Sequence, residues 1–338
     1  MTASAAASTV PLLEVQDLTV SFATRRGPVL ANDGVSLSVM PGETLGIVGE
    51  SGSGKSVFCR ALLRLAKGEV SARRLAFEGR DLLALRESEM RRLRGSGIAM
   101  IFQSPMSSLD PVWTIGDQIA ETLRLHQRLD RKGARAGAVA LLDRVGIPSA
   151  QRRVDEYPHQ WSGGMLQRAV IALALAGRPR LMLADEPTTA LDVTIQDQIL
   201  SLLLGLQQET GMALILVSHD MGVIAETCDR VAVMYAGRIV ETAPVRQIFE
   251  APAHPYTAGL LGSMVSAERA TGRLEPITGQ PPDLTRLGPG CAFAPRCSRA
   301  RPACTQGPVP LQALAADHAA ACLFPFAAGA APQLEAAR

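Results

Sequence analysis

The stretch Gly49-Glu50-Ser51-Gly52-Ser53-Gly54-Lys55-Ser56 fits G-x-x-x-x-G-K-S, a spacing of residue types suited to holding phosphate. Its glycines let successive backbone N–H groups turn around a β-phosphate, and a helix opening near Val57 adds a favourable dipole. Lys55 is placed to reach the β- and γ-phosphates, and the Ser56 hydroxyl to join a Mg²⁺ shell. A second pair, Asp185 and Glu186, closes the apolar run Leu181-Met182-Leu183-Ala184. At the carboxyl end of a core strand, Asp185 suits Mg²⁺ through water, and Glu186 suits orienting or deprotonating an attacking water. Each motif has an ordinary reading, a glycine-rich turn or an acidic cap. Their presence in one chain favours the chemical one. His219, just past Ala213–Ser218, is a candidate for the γ-phosphate or the catalytic water, and Gln103 follows the apolar Ile98–Phe102. Phe22 either stacks on adenine or belongs to the first hairpin.

These residues need a scaffold. Residues 12–22 and 35–40 read as strands joined by a turn at Arg26-Gly27, and 43–49 as a buried strand running into the phosphate motif. From Val57 the apolar spacing predicts a helix, and 105–157 is mostly helical, with the basic run Arg128 to Arg135 as a solvated surface. Alternation returns in 180–186, 212–220 and 230–241, with a helix near Val193 to Glu209. That order predicts an α/β fold with a mainly parallel sheet. After Phe249 the chain turns Pro-, Gly- and Ala-rich, so a boundary is expected near residue 255.

Composition narrows the function. The 338 residues are 47% hydrophobic, ample for a core, and carry a formal charge of +2 with only 4% aromatic residues. Such a chain has no global field for nucleic acid and few rings for base stacking, so nucleic acid is not an expected partner. The amino terminus lacks the pattern of a signal peptide, and no run of about 18 apolar residues spans a bilayer. A cytoplasmic location follows as the expectation. There, clustered cysteines read as metal ligands or buried thiols before disulfides.

Trp161-Ser162-Gly163-Gly164-Met165-Leu166-Gln167-Arg168 has no evident job in a lone phosphate-binding protein. Taken with the phosphate motif, Gln103, the Leu181–Pro187 run, Ala190-Leu191-Asp192 and His219, in this order, it resembles the ATP-binding-cassette (ABC) ATPases. The resemblance spans about residues 10–330. It implies a P-loop core with an antiparallel β subdomain, a helical signature subdomain at about 104–175, and ATP with Mg²⁺ as substrate and metal. It further implies that two such subunits meet head to tail, with Ser162, Gly163 and Gly164 of one closing on the nucleotide held by the other's Gly49–Val57 loop. Asp192 would link the two sites, and Gln103 would report Mg²⁺ and nucleotide state to a membrane partner. Trp161 stands where the signature usually has Leu and close relatives often have Phe.

Residues 102–111, 156–165, 184–196 and 254–261 look like the ATP-binding subunits of bacterial dipeptide and oligopeptide importers. On that likeness the partners are a second ABC ATPase subunit, a sister protein before a second copy, two transmembrane permeases and an extracytoplasmic peptide-binding protein. The chain would sit peripherally on the cytoplasmic face of the inner membrane. The same mechanism with nickel or an opine-like solute, or a soluble ATPase of DNA repair or translation, are the alternatives. The expected division is a loose tail at 1–10, a nucleotide-binding domain at 11–255, an extension at 256–326 and a flexible tail at 327–338.

Three cysteines, Cys291, Cys297 and Cys304, fall within fifteen residues. The resemblance adds Cys322 and implies a four-iron four-sulfur cluster. The spacing alone chooses neither that cluster, nor zinc, nor free thiols. Arg296 and Arg299 beside them either neutralise an anionic cluster or lie as surface charge. Cys59 and Cys228 read as small core residues.

Overall fold

The computed structural model describes residues 10–25, 27–189, 191–263 and 277–326. The expected tails at 1–10 and 327–338 lie outside these residues, apart from the exposed Val10. Two compact units emerge.

One unit holds the segments around Ser38–Glu43 and Ala76–Val217. Its centre is three parallel strands, Ile98–Ile101, Leu181–Asp185 and Ala213–Ser218, with Ile98 opposite Leu181 and Leu181 opposite Ala213. Every residue in them is buried. Parallel strands covered on both faces need continuous apolar runs, and such runs are what 98–101 and 181–184 supply. Residues 105–157 are mostly helical as expected, with helices Ile115–Gln127 and Arg131–Arg144. Each begins on a side-chain cap: Thr114 accepts from Asp117 N–H, and Asp130 from Gly133 N–H. Ile119, Leu123, Ala134, Ala138 and Leu142 are buried, and both helices pack with a third, Gly163–Leu175. The Gln127 amide donates to the Ala176 carbonyl (2.8 Å) and Arg168 to the Val145 carbonyl (2.6 Å), tying that third helix to the other two.

The other unit holds Val15–Leu37, Thr44–Leu75 and the chain from Ser218 onward. Strands Leu13–Thr24 and Gly27–Val39 are neighbours in an antiparallel subdomain that also pairs Thr19 with Ser71. A second sheet pairs Thr44–Val48 in parallel with Arg230–Tyr235, Leu45 lying opposite Arg230. The run 230–241 is not one strand. Ala236 and Gly237 turn with φ of 49° and 80°, and Arg238–Pro244 returns antiparallel to Arg230–Tyr235. Positive φ at both turn residues matches the hairpin turn whose twist suits paired strands, so the alternation continues through it.

Beyond residue 255 the described residues include regular elements that their composition does not announce. Strands Gln312–Ala315 and His318–Ala320 form a hairpin that pairs onto Arg238–Pro244, Glu241 lying opposite Ala320. Beneath that pairing the fully buried Glu241 carboxylate accepts from Ala253 N–H (2.7 Å) and His254 N–H (2.8 Å) and bonds His318 Nε2 (2.8 Å). A buried carboxylate with several hydrogen-bond partners is a satisfied anchor. Phe293 adds an apolar one, packed among the rings of Tyr235, Tyr256 and His254.

Candidate active site

The phosphate motif forms the loop between strand Thr44–Val48 and helix Lys55–Leu62. Gly49 and Gly54 are required twice over. Their φ values are 152° and 103°, and a Cβ would lie 2.1 Å from the Met234 carbonyl oxygen at Gly49 and 2.3 Å from that of Ala31 at Gly54. Gly54 caps the helix in a left-handed conformation with no side chain over the helix start, leaving that positive end to the loop. Lys55 is 4% exposed, and its ammonium donates to the carbonyls of Gly49 (2.7 Å) and Glu50 (3.0 Å). Ser53 is buried, Ser56 and Val57 are half-buried, and Ser51 and Gly52 are exposed.

Glu50 is held by partners far along the chain. Its backbone N–H donates to the Tyr256 hydroxyl (2.8 Å), and its carboxylate takes both arms of Arg296 (2.6 and 2.9 Å). Its side chain therefore faces the extension.

In the other unit, Asp185 ends its strand fully buried, and Glu186 follows at φ 48°. A left-handed glutamate is strained, a cost met here by a hydrogen bond from its N–H to the Val217 carbonyl (3.1 Å). Its carboxylate accepts from Gln103 Nε2 (3.1 Å) and Thr189 Oγ1 (2.9 Å). Gln103 and Glu186, 83 residues apart in sequence, thus act on one another directly. His219 is exposed just past strand Ala213–Ser218, and Phe22 is half-buried within strand Leu13–Thr24.

Ser162 caps helix Gly163–Leu175, accepting from Met165 N–H at 3.4 Å. Ser162 and Gly163 are exposed and Gly164 half-buried, so this helix start is open to a ligand. Trp161 is only 6% exposed, a core anchor for the segment. Asp192 caps helix Val193–Thr210 by accepting from Ile195 N–H (3.0 Å).

The four cysteines Cys291, Cys297, Cys304 and Cys322 are unpaired by disulfide and line one small cavity of about 20 Å³ with Phe293, Arg299 and Phe324. Burial raises the Cys291 and Cys297 thiols, and pushes Cys322 up to about 11. Backbone N–H groups of Phe293 and Ala294, Arg299 and Phe324 reach the Cys291, Cys297 and Cys322 sulfurs respectively and oppose that rise. Among the described residues no three His, Cys, Asp or Glu side chains are arranged around a single-ion site. The four thiols share a cavity without forming such a group. Arg296 belongs neither to that cavity nor to the surface: its side chain is 6% exposed and is spent on Glu50. Arg299 stacks over Phe326, 4.4 Å from the ring centroid. Cys59 and Cys228 are core residues as expected.

Sequence reasoning missed Tyr235, Tyr256 and the true partner of Arg296. No local pattern announces a pair separated by 246 positions.

Comparison with known proteins places these features. The ABC transporter family profile matches residues 32–189, and that of the oligopeptide/dipeptide transporter C-terminal region matches 240–304. A putative peptide import ATP-binding protein of Brucella melitensis is 50% identical over 327 residues, covering 93% of this chain and 97% of its own length. One from Brucella abortus is 50% identical over 316 residues, covering 93% and 95%. Among solved structures, a dimeric ATP-binding cassette in a post-hydrolysis state with ADP and Pi aligns with a TM-score of 0.61 and 28% identity, over 69% of this chain and 99% of its own. The cbiO1 protein of Clostridium perfringens, part of an ABC transporter complex, aligns with a TM-score of 0.60 and 26% identity, over 71% and 90%.

Proposed function

The chain belongs to the ABC transporter ATPases, in their peptide-import branch, and from that premise we propose how its residues divide the work of ATP-driven peptide import. The phosphate loop's backbone N–H groups and Lys55 take the β- and γ-phosphates. Ser56 and the buried Asp185 offer the hard oxygen donors Mg²⁺ prefers, and the ion neutralises charge on the phosphates when bound. Glu186 receives the proton of the attacking water, which adds to the γ-phosphorus as the bond to the β-γ bridging oxygen breaks, giving ADP and phosphate. Gln103 holds the Glu186 carboxylate, so movement at Gln103 alters the base directly. That hydrogen bond is the observation that carries the reading, because it links the hydrolytic carboxylate to the residue assigned to sense the permease. His219 stabilises the γ-phosphate, and Phe22 packs on adenine.

The open helix start at Ser162, Gly163 and Gly164 serves the nucleotide of a second ATPase subunit, with Asp192 beside the join. Sister subunits are favoured over two copies. Two permeases carry the peptide, an extracytoplasmic protein delivers it, and this subunit works peripherally at the cytoplasmic face of the inner membrane. No helix among the described residues is long and apolar enough to cross a membrane. Closure on ATP and opening after hydrolysis alternate the permeases' access. The cassette occupies 11–255 and the extension 256–326. Cys291, Cys297, Cys304 and Cys322 would hold a four-iron four-sulfur cluster, a reading supported by the cavity they share. It would bind the extension's segments together.

Reconstitution with the two permeases and the binding protein in liposomes tests the function. Peptide uptake should require ATP and stop in Lys55→Ala complexes. Uptake undiminished by that substitution would overturn the reading.

A further inference from the structure

The extension's hold on the phosphate loop has a chemical logic that a merely structural contact would lack. Arg296 ends the short turn Ala294–Arg296, immediately before Cys297. Its guanidinium makes a two-pronged pair with Glu50 (2.6 and 2.9 Å) while its Nε donates to the Thr278 carbonyl (2.9 Å) and one arm reaches the Tyr235 hydroxyl (3.3 Å). With 6% exposure for the Arg296 side chain and 25% for Glu50, the pair is shielded from solvent far more than a surface bridge. Glu50 is also held by its backbone N–H on the fully buried Tyr256, and its carbonyl accepts from Lys55. One residue of the loop is therefore gripped at side chain and amide by residues after position 234, and at its carbonyl by the phosphate-binding lysine.

Glu50 also presents an electrostatic problem. A carboxylate inside a loop that must receive a triphosphate repels its ligand unless a cation neutralises it. Arg296 is that cation, and its guanidinium is the kind that fixes a carboxylate in one geometry.

We propose that Arg296 is a positioning residue for nucleotide binding: it neutralises Glu50 and fixes the phosphate loop, so that the cysteine-bearing extension sets the affinity for ATP. This rests on the phosphate-loop reading above. It assigns the extension a role in the ATPase cycle through one side chain.

The test is calorimetric titration of the full chain with Mg²⁺ and adenylyl imidodiphosphate. Arg296→Gln should weaken binding at least tenfold, about 1.4 kcal/mol, and Arg296→Lys, which keeps the charge but loses the fork, should fall between the two. In a Glu50→Gln background, where there is no charge left to neutralise, Arg296→Gln should change affinity less than twofold. A structural role alone would give the same loss in both backgrounds, and that result would overturn the proposal. So would wild-type affinity in a folded Arg296→Gln. If Arg296→Gln does not fold, judged by its thermal melt, the Arg296→Lys loss and its disappearance with Glu50→Gln decide the matter in the same way. A wild-type chain that binds no nucleotide would instead refute the phosphate-loop reading itself.

Discussion

Gly54→Ala should damage both fold and function, and the structure says by how much more than its neighbour. At φ 103° an alanine is strained by about 1–3 kcal/mol. Its Cβ would lie 2.3 Å from the Ala31 carbonyl oxygen and 2.8 Å from Asn32 Nδ2, both fixed, since Asn32 is buried and donates to the Gly54 carbonyl (3.2 Å). Overpacking against rigid atoms adds about 1–3 kcal/mol, so the loss of stability should be about 4 kcal/mol. Gly52→Ala is the control within the same loop. Its φ is 80°, but a Cβ there meets nothing within 4 Å, so only the conformational cost of about 1–2 kcal/mol applies. Urea unfolding of the three proteins measures the difference, and nucleotide titration should show binding lost in Gly54→Ala and retained within about tenfold in Gly52→Ala, a difference of about 1.4 kcal/mol. Equal destabilisation by the two substitutions would refute the argument that close packing, beyond backbone freedom, fixes Gly54.

Two further expectations concern the second unit. Glu241→Ala strips partners from two buried N–H groups and from His318 and should cost about 3–5 kcal/mol in urea unfolding; a cost under about 1 kcal/mol would show that the carboxylate is not an anchor. Burial pushes the Cys228 thiol up to about 12 from an ordinary value of 9.0. Above pH 9 the unfolded chain gives up that proton while the folded chain keeps it, so stability should fall by roughly 1 kcal/mol per pH unit towards pH 12. Cys228→Ala should flatten that slope, and an unchanged slope in pH-dependent unfolding would contradict the assignment.

The nucleotide chemistry was legible because it is written in short, contiguous patterns. A loop that must wrap phosphate needs Gly49, Gly54, Lys55 and Ser56 at fixed spacing, and an acid pair at the end of a buried strand leaves an apolar run before Asp185. The hairpin at Ala236-Gly237 was not legible, because its turn residues interrupt neither the alternation nor the apolar content around them. Ser162 and Asp192 show a different limit. Each occupies the helix cap that its residue type alone would suggest, and the same position leaves its helix start exposed. Capping and ligand binding use the same exposed N–H groups, so the sequence could not separate them. The Arg296–Glu50 pair and the Gln103–Glu186 hydrogen bond lay beyond reach for a simpler reason. Both join residues far apart in sequence, and a tertiary contact between two polar side chains leaves no periodic trace.

The central claim is that Glu186 is the base of an ATP hydrolysis that this chain performs. The most direct measurement is ATP turnover beside ATP binding for Glu186→Gln, whose amide keeps the hydrogen-bonding oxygen facing Gln103 and Thr189 but cannot take a proton. Turnover should fall by at least about a hundredfold, the usual scale of a general base, while the dissociation constant for ATP stays within about threefold, under 1 kcal/mol. Turnover equal to wild type, with binding intact, would contradict the account.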